Sequence, residues 1–336
     1  MDRITLGNDE FEGRNNAYVL ADGDDLALVD TGIATPDVRS QLRDGLADRG
    51  YAFADVDAIV LTHYHVDHTG LAGEIQAESD ATVYVHEADA PIVAGNEDAL
   101  EAMYARRREL LDAWGVPTAA QAELQSFLEG ASEIEGEPAD VAPIEDGTVL
   151  ELGTWRLETV HAPGHTAGLC CFEILDAPAS GPDGADVAVD SREAFVGDAV
   201  LPVYTPNIGG ADVRVERPLE TYRTTLERLV DRGYDRVWPG HRDPIDAPDD
   251  RARTILEHHR ERTDRVLEVL GAHGPCDAWT VSDHLFGELS GIHILHGPGE
   301  AYAHLDHLRH EGVLALEDGE YRLLDRAVDT EGRASR

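Results

Sequence analysis

Four side chains able to bind a metal crowd into six positions of this chain, within Thr62-His63-Tyr64-His65-Val66-Asp67-His68-Thr69-Gly70. No other feature restricts the fold as tightly. Such a cluster needs a rigid platform that brings its ligands to one point, and the apolar run Val56 to Leu61 just before it reads as a buried strand. Imidazole with carboxylate suits zinc or iron; a structural zinc site would more often recruit cysteine, and none is near. Three histidines and one aspartate at H-x-H-x-D-H spacing are hard to attribute to chance.

Three later positions extend the pattern. His165 lies in Ala162-Pro163-Gly164-His165-Thr166-Ala167-Gly168, Asp198 ends Ala194-Phe195-Val196-Gly197-Asp198, and His241 ends Val237-Trp238-Pro239-Gly240-His241. Each follows a short β-like segment, and a preceding glycine permits the sharp turn that aims a side chain off a strand end. Four strand ends thus each offer a ligand, as expected of a site along the edge of a sheet sandwich.

The succession H-x-H-x-D-H, His, Asp, His, with Val29-Asp30-Thr31-Gly32 after an early hairpin, resembles the metallo-β-lactamase-fold hydrolases over roughly residues 3 to 246. The resemblance implies an α/β (α+β) fold, an αββα sandwich of two mixed sheets with helices outside. It implies that His63, His65 and His165 hold one metal, that Asp67, His68 and His241 hold a second, and that Asp198 bridges them. The expected cofactor is two Zn2+, with one Fe2+, or Mn2+, as alternatives. Two divalent ions about 3.5–4 Å apart can share a hydroxide that is nucleophilic near neutral pH, and polarise the oxygen under attack. Asp67 and Asp198 are the expected catalytic carboxylates, Asp67 as a proton carrier. Asp30 is expected to orient a ligand loop.

At 336 residues the chain exceeds one usual domain. Residues 1–246 are assigned to the catalytic domain, with a helical insertion near 97–130 that caps the site. Early elements are a hairpin (Asn16 to Ala21, a turn at Asp22-Gly23-Asp24, Leu26 to Val29), a helix from Pro36 to Arg49 with Val38, Leu42 and Leu46 on one face, and a strand over 81–86. Asp176 to Ser191 reads as an exposed loop. Leu201 to Gly210 is expected to line the substrate groove, with Tyr204 or Asn207 as oxyanion donors. Residues 249–326 read as helix, helix, helix, hairpin, a winged-helix-like module. The candidate recognition helix carries Glu300, Asp306 and Glu311 against Arg309, which argues against nucleic acid. His304, His307, His310 and the pair His258-His259 could bind a stray metal with their acidic neighbours, but solvated surface is the favoured account. Residues 327–336 are expected to form a disordered tail.

Acidic residues number 67 against 27 basic, a net charge of −40, and every basic residue is arginine. The charge is spread along the whole chain, as in a halophile's cytoplasmic protein of haloarchaeal type, where concentrated salt screens self-repulsion. Arg106-Arg107-Arg108 stands out in so acidic a chain, and pairing with Glu101, Glu109 and Asp112 is the favoured account. Met1 to Glu12 lacks the apolar stretch of a signal peptide, and no run is apolar enough to span a membrane. Cys170, Cys171 and Cys276 form no disulfide framework and read as small apolar packing.

The catalytic domain with its small tail resembles the β-lactamase-like protein 2 group, near glyoxalase II. The first functional reading is therefore a dinuclear-metal hydrolase that uses a metal-bridging hydroxide on a small ester or thioester, glyoxalase II-like. The alternatives are a single-strand endoribonuclease of the β-lactamase-like protein 2 type and a mononuclear iron persulfide dioxygenase. The expected partner is a small-molecule substrate, or single-stranded RNA on the alternative reading, with no membrane.

Overall fold

A computed structural model of the chain describes residues 1–7, 13–23, 25–131, 134–177 and 191–324. Asp24 of the hairpin turn, most of the 176–191 loop and the 327–336 tail lie outside these residues. The first sheet runs β1 (Asp2–Leu6), β2 (Asn15–Asp22), β3 (Asp25–Val29), β4 (Ala58–Val60), β5 (Thr82–His86) and β6 (Val141–Ile144) in sequence order. Its first three strands pair antiparallel and the remainder parallel. The second sheet has the order β11 (Arg236–Pro239), β10 (Glu193–Gly197), β9 (Cys170–Asp176), β8 (Trp155–His161), β7 (Val149–Leu152), with only β10 and β11 parallel.

Alternation of side chains puts one face of each sheet into a shared core. Tyr18, Leu20, Val29 and Val60 from the first sheet meet Leu157, Cys170, Phe172 and Phe195 from the second. The opposite face of the first sheet buries Leu28, Ile59 and Val83 against Val38, Leu42 and Leu46 of α1 (Pro36–Ala47). Thr35 caps that helix, accepting from Val38 N. The opposite face of the second sheet buries Val160, Cys171, Ala194 and Val196 under Tyr222, Leu226 and Leu229 of α7 (Pro218–Arg232). The result is the expected αββα sandwich.

Between β4 and β5 lie the short α2 (Val66–Thr69) and α3 (Ala72–Ser79); α4 (Ala90–Val93), α5 (Glu97–Ala113) and α6 (Thr118–Ala131) follow β5. After β11 come α8 (Pro248–His273), α9 (Ala278–Phe286), α10 (His293–His310) and the hairpin β12 (Leu314–Glu317) with β13 (Glu320–Leu323). Leu110, Leu111, Trp114 and Leu124 of the α5–α6 segment share one core with Val266, Leu270, Val281, Ile294, Leu305, Leu314 and Tyr321. The 26-residue α8 joins two cores, with Ala252 and Ile255 under the second sheet and Val266 and Leu270 in the C-terminal cluster. Arg106 pairs with Glu109 and Arg108 with Glu101, while Arg107 lies over the Tyr104 ring. Among the described residues no helix is long and apolar enough to cross a membrane.

Sequence reading places α10 from Gly299 onward, yet it begins at His293 and carries Pro298 inside it. The helix comes close to the loop after Asp198 just past this proline. A Cβ on Gly299 would lie 2.4 Å from Gly210 backbone atoms, so glycine lets this helix seat the loop that follows Asp198.

Candidate metal centre

The seven expected ligands converge on one edge of the sandwich. His63 and His65 lie in the turn after β4, and α2 presents Asp67 and His68. His165 lies in the loop after β8, Asp198 follows β10, and His241 lies two residues past β11. His65 Nδ1 is 3.0 Å from both His63 Nε2 and His165 Nε2. Asp67 Oδ2 is 3.9 Å from His68 Nε2 and 3.4 Å from His241 Nε2. Asp198 touches both groups: its Oδ2 is 3.8 Å from His165 Nε2 and 3.4 Å from His241 Nε2, and its Oδ1 is 3.5 Å from His68 Nε2.

The outer nitrogen of each imidazole fixes its tautomer. His65 Nε2 donates to Ala211 O at 3.0 Å, His165 Nδ1 to Asn207 O at 2.9 Å, and His241 Nδ1 to Gly13 O at 3.0 Å. His68 Nδ1 donates to Asp30 Oδ2 at 2.8 Å. Thr62 Oγ1 gives its proton to Asp30 Oδ2 at 2.9 Å and so accepts from His63 Nδ1 at 3.0 Å. Every inner nitrogen is left with a bare lone pair aimed into the cluster. His68 Nε2, His241 Nε2 and Asp198 Oδ1 are buried without a hydrogen-bond partner among the described residues. Lone pairs and carboxylate oxygens gathered without donors suit divalent cations, so the donor set fits the two metals that the fold implies. Asp30 is held in the left-handed region at φ 59°, a conformation that aspartate tolerates, and binds Thr62 N at 2.8 Å as well.

Electrostatics divide the cluster. Burial and neighbouring imidazoles hold His63 well below the ordinary histidine range, and burial with His165 brings His65 to about 4. Burial also opposes charge on His68 and His241, but Asp198 and Asp67 outweigh it and raise both. The carboxylates that raise these two would equally attract a metal cation.

The motifs do not reveal the frame that holds the ligand loops. Asp89 Oδ2 accepts from Tyr64 N at 3.1 Å and Thr166 Oγ1 at 3.3 Å, bracing the turns that carry His65 and His165. Asp212 Oδ2 accepts from Ala167 N at 2.9 Å. Arg214 ties the two carboxylates together, 2.6 Å from Asp89 Oδ1 and 2.7 Å from Asp212 Oδ2, and its guanidinium lies 4.6 Å above the Tyr64 ring. Asn15 Nδ2 donates to Asp67 Oδ2 at 3.1 Å, and Asn16 Nδ2 donates to the carbonyls of Pro239 and Arg242 on either side of His241. Gly240 is equally required: a methyl group there would lie 2.5 Å from His68 Cε1 and 2.6 Å from Asp198 Oδ1. Gly240→Ala is expected to weaken metal binding about 10- to 100-fold, measured by chelator competition. Unchanged affinity would mean that the loop relaxes freely.

A cleft of about 690 Å³ opens beside the centre. Val203, Tyr204, Phe286 and Leu289 supply apolar lining, with Arg251, Arg262 and His258 as polar lining. It reaches inward to Asn207, the partner of His165, and to His296, which is partly buried near His65 and His165. Asn207 is not free to donate to a substrate, because its Nδ2 serves His296 O and Glu300 Oε2 at 3.2 Å each. Tyr204 is half exposed at the rim with Arg242 over its ring. Cys170 and Cys171 face opposite cores, and burial raises both thiols, Cys171 to about 12.

Comparison with known proteins agrees with this geometry. The model of the family described as "Metallo-beta-lactamase superfamily" matches residues 11–179. A "Probable metallo-hydrolase YqjP" of Bacillus subtilis is 26% identical over 297 residues, 88% of each chain. A "Beta-lactamase-like protein 2 homolog" of Drosophila melanogaster is 26% identical over 259 residues, 75% of this chain and 67% of that one. Among solved structures, a metallo-beta-lactamase family protein of Thermus thermophilus superposes with a TM-score of 0.79 at 29% identity, over 96% of this chain and 98% of the other.

Proposed function

The chain belongs to the metallo-beta-lactamase superfamily and is a metal-dependent hydrolase; from that premise we propose that it cleaves a small ester or thioester at a dinuclear centre, in the manner of glyoxalase II. The observation that carries the reading is the convergence of five inward imidazole lone pairs and two carboxylates. His63, His65 and His165 would hold one ion, Asp67, His68 and His241 the other, and Asp198 both, with zinc suited to such donors. When bound, the ions would acidify a water and polarise the oxygen under attack.

The chain's own residues orient and move protons. Asp30 and Thr62 set the rings of His68 and His63 before substrate arrives. Asp67, whose Oδ2 accepts from Asn15, would be the proton carrier during attack. The cleft falls within the roughly 300–1,000 Å³ range of small-molecule sites, which supports a compact substrate over a polymer. Phe286, Leu289 and His293 of the C-terminal elements contribute to its wall. Arg309 of α10 is paired with Asp306 at 3.1 Å, so the winged-helix-like module is better suited to shaping the cleft than to binding nucleic acid. Three buried, unpaired cysteines suit a reducing cytoplasm, and the surface charge suits concentrated salt.

The second reading, single-strand endoribonuclease activity, rests on the resemblance to the β-lactamase-like protein 2 group, a Drosophila homolog of which matches 75% of the chain. The test is an assay of the zinc-loaded protein in molar KCl against a panel of thioesters and esters beside a single-stranded oligoribonucleotide. We expect thioester turnover and an intact oligonucleotide. RNA cleavage without thioester turnover would reverse the order, and one iron per chain with oxygen uptake would replace hydrolysis by sulfur oxidation.

A further inference from the structure

Away from the seven ligands, α8 and α10 bring His259, Glu300 and His304 together in the interior, with 1%, 4% and 0% of their surfaces exposed. The sequence suggests solvated surface for these histidines; burial against the second sheet's helical layer overturns that. His259 Nδ1 lies 3.5 Å from His304 Nε2, and Glu300 Oε1 lies 3.7 Å from each of those nitrogens. A triangle with these sides has its centre about 2.1 Å from every corner, which is the bond length of zinc to imidazole nitrogen and carboxylate oxygen.

The protons are arranged for a cation as well. Thr263 Oγ1 donates to His259 O at 2.9 Å, so it accepts from His304 Nδ1 at 2.8 Å and leaves His304 Nε2 bare toward the centre. His259 Nε2, which would carry its ring's proton with Nδ1 on a metal, is buried without a hydrogen-bond partner among the described residues, a cost that the ion would have to offset. A proton on His259 Nδ1 would face His304 Nε2 at 3.5 Å, the long limit of a hydrogen bond, and Glu300 at 3.7 Å, beyond it. Glu300 Oε2 is already satisfied by Ile208 N at 3.3 Å and Asn207 Nδ2 at 3.2 Å, and Arg262 Nη1 at 3.1 Å occupies one side of Oε1. The remaining side of Oε1 faces two imidazoles. Burial keeps both rings neutral, His259 at about 3, and thus ready as ligands.

We propose that His259, Glu300 and His304 form a further metal site, separate from the seven-ligand centre, that takes a divalent transition-metal ion such as zinc. The ion would clamp α8 to α10 at the point where both meet the loop after Asp198. Two clefts approach the site, one lined by His259 and the other by Glu300, so an ion has a route in. Glu300 also reaches the active centre through Asn207, whose carbonyl holds His165. The charge of Arg262 opposes a cation, so this ion is expected to bind less tightly than those of the active centre.

The test counts metal in zinc-loaded wild type, His259→Gln and His304→Gln after gel filtration in molar KCl. The difference between wild type and variants, and not the total, decides the matter, so the result is independent of how many ions the active centre holds. One more equivalent in the wild type than in either folded variant supports the site; equal counts overturn it. Anomalous diffraction at the zinc edge from loaded wild-type crystals answers without any variant: a peak among the three side chains supports the site, and its absence overturns it.

Discussion

Asp198→Ala is expected to lower kcat/KM by at least about 10³-fold and to strip metal from the centre. Among the described residues, Asp198 is the carboxylate in contact with both ligand groups, through His165 on one side and His68 and His241 on the other. Its loss leaves the inner nitrogens of His68 and His241 with Asp67 as their one neighbouring carboxylate and removes the charge that joins the pair. Lewis-acid stabilisation is worth several kcal/mol, and each 1.36 kcal/mol is about tenfold in rate, so a loss of about three to four decades follows. Asp198→Asn preserves the volume and separates charge from packing. Hydrolysis kinetics beside elemental analysis give the answer; an Asp198→Ala protein with its metals and most of its rate would place the chemistry elsewhere.

The largest effect on stability is expected from Arg214→Ala, about 3–5 kcal/mol, because removing one partner of a buried pair strands the other. Here two are stranded: Asp89 and Asp212 have wholly buried side chains, against 19% exposure for that of Arg214. The pH dependence carries the diagnosis. Burial lifts Asp89 from 3.8 to about 6 even while Arg214 pulls it down. Without Arg214 it rises further. A carboxyl whose folded pKa exceeds its unfolded value binds its proton more tightly when folded, so its favourable contribution is complete below about pH 4 and is lost as pH rises through the folded value. The deficit of the variant relative to wild type should therefore be smaller at about pH 4.5 than at about pH 7.5. Denaturant melts of both proteins in molar KCl measure it, and a deficit that grows on acidification would refute the account. Metal affinity should fall too, because the Tyr64 and Ala167 amides lose their fixed acceptors.

Short-range order was legible in the sequence and long-range pairing was not. Val38, Leu42 and Leu46 repeat at helical spacing, and all three face the core of α1 as expected. The ligand turn, its strand and the glycines before Asp198 and His241 are local signals of the same kind. By contrast β6, with Pro143 in a four-residue edge strand, is a strand only because β5 lies beside it, more than fifty residues earlier. Asp89 and Arg214 stand 125 positions apart and no motif links them. Pro298 between two glycines reads as a helix breaker, yet the helix continues through it, with Gly299 close against Gly210, far away in sequence. His259 and His304 read as surface because a histidine's burial is decided by what packs over it.

The continuous α8 has a mechanical consequence. At about 1.5 Å per residue its 26 residues make a strut of about 39 Å, anchored at one end under the second sheet and at the other in the C-terminal cluster. Along its length α8 lines the cleft with Arg251, Thr254, His258 and Arg262, so one helix carries that wall from the second sheet to the C-terminal cluster. Any change in the spacing of these two cores would therefore have to bend α8 itself.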